Sequence, residues 1–422
     1  MGTENDGNGE RMMDKDRLER LFYDTDYVRT SGTEAETKAA EYLKACCAEL
    51  GVPARLEGFR VPMGEIERAV LTVDGKEIPC KGCSCCGSGE VEAELLYLPN
   101  MDKVSLANAR GKIVLLDRGG VRKFEYADLL DAGVKGILFR CGNLNYPDRD
   151  IDQRHLREHV VDGKEKLLSV MIHASDAVEL VRCNAKSARI CVSQKEYDGQ
   201  SHNVLAEIAG VKNEFITFSA HYDSTSLSHG AYDNMSGCAG LLGVMDALKD
   251  KQLRYGLRFV FCGSEERGLL GSKAYVRDNA DELAKTVLNI NLDMIGSVLG
   301  RFIACASAEE KLVHYLTYMG AELGFSVSAK TGVYSSDSTP FADSGVPAVS
   351  FARIAGGDVA PIHCRYDTAD VLSMEQLEAD IAFIAAFTER MACASVCPVS
   401  KEIPDDVKKK LDEYLGRKRP AD

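Results

Sequence analysis

The sequence predicts an α/β fold: a mixed, mostly parallel sheet with helices on both faces, plus an inserted small, mostly-β domain. Two observations carry this reading. From about residue 200, short apolar strands alternate with helical stretches, the pattern of strands connected by helices that pack back on a sheet. Between 62 and 197 the chain instead runs in short β segments broken by glycine turns. At 422 residues the chain exceeds one ordinary core, so about two domains are expected.

The elements follow in order. Residues 1–11 read as a disordered tail, and 12–23 and 33–50 as helices. The second helix, GTEAETKAAEYLKACCAELG, opens on Thr-x-x-Glu and stops on Gly, the signature of a capped helix. The strand ARLEGFRVP comes next. In the interrupting region IERAVLTVDG, EAELLYLP, GKIVLLDRGG and KGILFRCG are β segments, and FEYADLLDAG is helical. The alternating region opens with strands NVLAEIAG and EFITFSAH, then helix SGCAGLLGVMDALKD and strand LRFVFCGSEE. Helix GSKAYVRDNADELAK, strand TVLNINLDMIG, helix AEEKLVHYLTYMGAELG, strand PAVSFARI and helix MEQLEADIAFIAAFTERMA complete it. The expected organisation is therefore a discontinuous domain of 12–61 and 198–398, an inserted domain of 62–197, and a charged, peripheral tail of 399–422.

Composition narrows the function. With 51 basic and 65 acidic residues the net charge is −14, which argues against nucleic acid and anionic membrane as partners. No stretch approaches the roughly 20 apolar residues of a membrane span. The start MGTENDGNGE lacks the apolar segment of a signal peptide, and Gly2 lacks the Ser or Thr that myristoylation wants four positions on. Fifteen cysteines without such a signal point to a reducing, cytoplasmic setting. The cluster Cys80, Cys83, Cys85, Cys86 has no partner pair at zinc-finger distance and reads as a Gly/Cys-rich loop.

Chemistry concentrates at strand ends. His221 ends FITFSAH, Glu265 and Glu266 follow LRFVFCGS, Asp293 ends LNINLD, and His363 follows PAVSFAR by a loop. Open α/β sheets bind ligands outside the carboxyl ends of their strands. Two imidazoles and several carboxylates delivered to one edge fit a metal site. Asp233, twelve residues after His221, sits just before a small-residue helix, where Asn234 and Ser236 help cap. A pair of ions about 3.5–4 Å apart needs one bridging carboxylate and two further ligands each. His221 and Asp293 suit one ion, Glu266 and His363 the other, and Asp233 the bridge. Glu265 is left over; as its neighbour points elsewhere, it serves as general base for the metal-bound water. Asp223 is placed to orient the His221 imidazole. Asp337 and Tyr334 are weaker candidates, one to orient a ligand and the other to polarise the scissile carbonyl. The string HLREH at 155–159 matches another metallopeptidase pattern, but its heavily charged surroundings read as a solvated helix.

Taken together, HYDS, AYDNMSG, GSEERGLLGS, NLDMIG and PIHCRYDT resemble the zinc aminopeptidases of metallopeptidase family twenty-eight. The resemblance covers 28–60, including RTSGTEAETKAAEYL, and 200–390. It implies a zinc exopeptidase fold of the phosphorylase/hydrolase-like kind, the five ligands named above, Glu265 as base, and two zinc ions per chain. Cobalt or manganese would suit the same donors. In SSDSTPFADSGVP, Ser338 stands where the family commonly has His. Within 62–197, ARGKIVLLDRGGV and ADLLDAGVKGILF resemble a protease-associated domain, which implies a role in gating substrate.

The expected function is removal of N-terminal residues from peptides. A carboxypeptidase or aminoacyl deacylase on the same scaffold is the alternative, with Arg353, Arg365 or Arg267 available for a terminal carboxylate. A non-catalytic binding module is a remote third, since every ligand is present.

Overall fold

The computed structural model describes residues 15–420. The expected tail of 1–11 lies outside the described residues, and the first helix is described as Lys15–Asp24. The alternating region forms the expected sheet. Strands Gly256–Cys262, Phe215–His221, Thr286–Leu292 and Ala348–Ile354 lie side by side and parallel. Their residues are buried almost throughout, because helices cover both faces and a continuous apolar run replaces alternation. Two strands that the sequence reading missed complete this side. Arg301–Ser307 pairs antiparallel with Ala348–Ile354, and Ser328–Thr331 pairs parallel with Arg301–Ser307.

The other side of the sheet joins the two domains. The segments ARLEGFRVP and IERAVLTVDG are one strand, Ala54–Val73, and it runs antiparallel to Ser187–Ile208 along nearly its whole length. Ser187–Ile208 in turn pairs with Gly256–Cys262. The ladder thus runs without a break through residues 62 and 197, the expected domain boundaries. There Gly89–Leu98, Ile113–Leu116, Gly136–Cys141 and Leu168–His173 form a parallel group. Helices Lys103–Ala107, Lys123–Asp131, Glu158–Val161 and Ala174–Arg182 lie among them, so this part is more helical than the sequence reading allowed. It has its own apolar cluster, from Leu71 to Val192, distinct from that of the larger sheet.

Helix Ser236–Leu248 is buried along most of its length and crosses the sheet at its centre. Its small residues make that possible: a Cβ on Gly237 would lie 2.3 Å from the Leu292 carbonyl oxygen. Helix Met374–Cys393 covers it. The charged C-terminal stretch is not peripheral; it contains helix Asp405–Tyr414, with Val407 and Leu411 buried. Among the described residues no helix is long and apolar enough to cross a membrane.

Candidate metal centre

The parallel strands deliver their carboxyl ends to one rim. His221 is the last residue of its strand, and Asp293 follows Leu292 directly. Glu265 and Glu266 come three and four residues past Cys262, after a turn at Gly263 and Ser264. Asp233 lies in a short kinked segment, Ala231–Met235, that feeds the central helix. His363 arrives on the loop after Ala348–Ile354. Backbones with positive φ recur at these joints: Ser264 at 56°, Met294 at 65° and His363 at 58°. Such angles are uncommon for residues other than glycine and concentrate where surrounding structure fixes a site.

The five residues proposed as ligands converge. His221, Asp233 and Asp293 form one group, and Asp233, Glu266 and His363 another, with donor atoms within 4.8 Å of one another in each. Asp233 belongs to both. Its Oδ1 lies 3.1 Å from His221 Nε2 and its Oδ2 lies 3.1 Å from His363 Nε2. Asp293 Oδ1 is 3.8 Å from His221 Nε2, and Glu266 Oε1 is 2.9 Å from His363 Nε2. Although that close, Glu266 Oε1 is buried without a hydrogen bond of acceptable geometry. A buried carboxylate oxygen left this way is costly unless something else satisfies it. Neither group includes Glu265. Nor does either include Cys83, Cys85 or Cys86, which are buried with free thiols.

Electrostatics points the same way. Burial pushes the Asp293 carboxyl up to about 8, His221 opposes this, and the charges of Asp233, Asp337 and Glu266 add to it. Glu265 is raised well above the carboxylate range by burial, against His221 and together with Glu266. Asp233 moves down: burial opposes ionisation, but His221 and His363 hold it charged. Burial disfavours the charged form of both histidines, yet their acidic neighbours raise both. This many acidic groups in one buried place repel one another unless cations are present, and imidazole with carboxylate is a donor set that zinc accepts. The residues therefore fit a metal site.

A second layer fixes these groups through backbone N–H donors. Asp223 Oδ1 lies 3.4 Å from His221 Nδ1. Asp223 also accepts from the N–H of Glu265 at 2.8 Å and of Glu266 at 3.1 Å, and from Ser31 Oγ at 2.8 Å. Glu36, read only as the end of a capping box, is fully buried. One oxygen accepts from Gly32 N, and the other from Ser264 N and Oγ at 2.8 and 3.0 Å. Asp367 accepts from the N–H of Tyr232 and Asp233 and from Ser228 Oγ. Asn234 caps the central helix by accepting from Gly237 N and ties the Asp293 loop by accepting from Met294 N. None of these roles has a local sequence signal beyond the capping pattern.

The weaker candidates land nearby. Asp337 is buried and accepts from Ser272 Oγ at 2.5 Å, while its Oδ2 has no partner. Burial pushes it up to about 6, with His221 opposing. Burial raises the Tyr334 phenol, and the charges of Asp293 and Asp233 act on it. Neither shows a hydrogen bond to a candidate ligand. The arginines considered for a terminal carboxylate are already engaged: Arg353 with Asp380, Arg365 with Asp150, and Arg267 with the Pro62 carbonyl.

The stretch around HLREH corrects the sequence reading. Only Glu158–Val161 is helical, and the residues before it lie against the metal-ligand loops. Arg154 Nη2 is 3.0 Å from His363 Nδ1. His155 Nε2 is 3.2 Å from the Arg267 carbonyl oxygen, and Arg157 Nη2 donates to the Glu266 carbonyl at 3.2 Å. A cavity of about 380 Å³ opens here, lined by Arg154, Asp152 and Tyr146 of the insert and by His363 and Arg365.

Residues 203–388 match the family model described as Peptidase family M28. Aminopeptidase YwaD of Bacillus subtilis is 27% identical over 382 residues, which cover 83% of this chain and 78% of that protein. Leucine aminopeptidase 2 of Trichophyton rubrum is 30% identical over 239 residues, covering 54% of this chain and 47% of that protein. The chain thus spans about half the length of that fungal relative. Among solved structures, BSAP, a zinc aminopeptidase from Bacillus subtilis, superposes with a TM-score of 0.73 at 23% identity, covering 93% of this chain and 98% of that one.

Proposed function

Because residues 203–388 match peptidase family M28, we propose that the chain is a two-metal aminopeptidase whose general base is Glu265. The observation that carries this reading is Asp233, whose two oxygens face histidines of different ligand groups, as a carboxylate between two ions must. His221 and Asp293 would hold one ion, Glu266 and His363 the other. An ion held by these residues would supply Lewis-acid chemistry, lowering the pKa of a water and polarising the scissile carbonyl.

The protein's own contribution is positioning and proton movement. Glu265 sits beside Glu266, outside both ligand groups, on a turn that Asp223 and Glu36 hold through three backbone N–H groups. From there it accepts a proton from the attacking water and returns it to the leaving amine. Asp223 and Asp367 keep His221 and Asp233 oriented, so little reorganisation is needed during the reaction. The insert contributes Arg154, His155 and Arg157 to the same loops.

The test is a substrate panel: amino acid p-nitroanilides, their N-acetyl forms, and peptides with free or amidated carboxyl ends. Hydrolysis that requires a free amine and ignores the carboxyl end supports the reading. A strict need for a free carboxylate would make the enzyme a carboxypeptidase, and turnover of N-acylated amino acids alone would make it a deacylase.

A further inference from the structure

The chain beyond Cys393 lies outside the matched stretch of 203–388 and has no part in the site described so far. Helix Asp405–Tyr414 packs Val407 and Leu411, with Ile403, against Ala342 and Ala348. It is thereby seated on helix Ser338–Asp343, directly after the turn that carries Tyr334 and Asp337. At its end the Tyr414 hydroxyl hydrogen-bonds with Ser335 Oγ at 2.7 Å.

The chain then crosses to the other domain. Gly416 has φ +68°, and a Cβ there would lie 3.3 Å from Lys123 Cβ. Arg417 forks onto Asp343. Arg419 forks onto Asp128 at 2.7 and 2.8 Å, with its guanidinium 5.1 Å from the Phe124 ring centroid. Lys123, Phe124 and Asp128 belong to helix Lys123–Asp131 of the insert. The tail is thus a bridge with a two-toothed arginine–carboxylate tie to each side, a geometry that fixes direction as well as distance.

The bridge passes beside the candidate site: its Ser335 contact is one residue from Tyr334 and two from Asp337. Tyr414 as a residue is 41% exposed. None of the bridge residues lines the cavity beside His363. An exopeptidase has to admit one terminal residue and refuse chain beyond it, and a rigid aromatic ring is a suitable barrier.

We propose that the segment 405–419 is the end wall of the substrate cleft: it ties the Ser335–Asp343 stretch to helix Lys123–Asp131 beside the turn of Tyr334 and Asp337, and Tyr414 limits the bulk and N-terminal extension of the residue that is released. This rests on the aminopeptidase reading above.

The experiment uses the full chain and its Tyr414→Ala, Tyr414→Phe and Arg419→Glu variants. Each is assayed for kcat/KM on alanyl, phenylalanyl and N-acetyl-phenylalanyl p-nitroanilides, with Tm measured alongside. Tyr414→Ala should raise the phenylalanyl-to-alanyl ratio at least fivefold, while Tyr414→Phe, which keeps the ring, stays within twofold of the wild type. Arg419→Glu repels Asp128 and should raise the rate on the blocked substrate relative to the free one at least fivefold. It is a surface change that also decides the matter should Tyr414→Ala fail to fold. Variants that lower Tm and slow every substrate equally, with both ratios within twofold of wild type, would make the tail a structural tie only and overturn the proposal. No turnover of any free-amine substrate by the wild type contradicts the aminopeptidase reading itself, and the wall with it.

Discussion

Asp233 is the residue on which the site turns, because its two oxygens serve different histidines. Neutralising it in Asp233→Asn removes the charge shared by both groups, so the substitution should lower the content of both metals and abolish activity. The adjacent glutamates separate rate from binding. Glu265→Gln keeps size but cannot take a proton; kcat should fall by roughly 100-fold or more with bound metal unchanged. Glu266→Gln replaces an anionic ligand with an amide and should lose about one ion per chain, read by metal analysis of dialysed protein. The reverse pattern would exchange the two roles. The sequence reading placed the two glutamates at the rim because they follow an apolar strand that must be buried, and Asp233 because it precedes a small-residue helix. Glu36 and Asp367 were not legible as part of the site. Each acts by accepting backbone N–H groups from segments more than a hundred residues away, and no local pattern announces such a bond.

At the level of elements, the site is made by turns that the sheet cannot relax. Helix Ser236–Leu248 approaches the Asp293 strand so closely that Gly237→Ala would place a methyl 2.3 Å from the Leu292 carbonyl oxygen. Overpacking of this kind costs about 1–3 kcal/mol, and here it shifts the segment that carries Asp233. The expected result is a lower Tm together with weaker metal retention; a variant with unchanged Tm and metal content would contradict the account of this contact. The alternation of strands and helices was readable because parallel strands are buried on both faces and stand out as apolar runs. Arg301–Ser307 was missed because FIACAS follows a long loop and pairs antiparallel at the far side of the sheet, outside the alternation. The strand Ala54–Val73 was read as two, since its middle is half exposed and carries polar residues.

For the whole molecule, the stretch 154–157 reaches the loops of the candidate metal centre. Arg154, His155 and Arg157 contact the loops of His363, Arg267 and Glu266. The ladder between Ala54–Val73 and Ser187–Ile208 runs through 62 and 197, so cutting there severs a continuous sheet. Replacing only residues 75–186 with a short turn keeps the ladder and removes those contacts. The shortened protein should still fold and bind metal, but its kcat/KM on peptides should fall at least tenfold. Unchanged kcat/KM would show that the insert does not shape the site. The sequence reading set residues 62–197 apart by their change of texture, and it left the reach of 154–157 unread because the charged stretch DRDIDQRHLREH has the composition of an exposed loop. The most direct test of the central claim is the zinc stoichiometry of the purified protein, read alongside activity as metal is removed and restored. The account predicts close to two zinc ions per chain, loss of activity on chelation, and recovery as zinc is returned. A chain that hydrolyses peptides at full rate with no metal bound would contradict it.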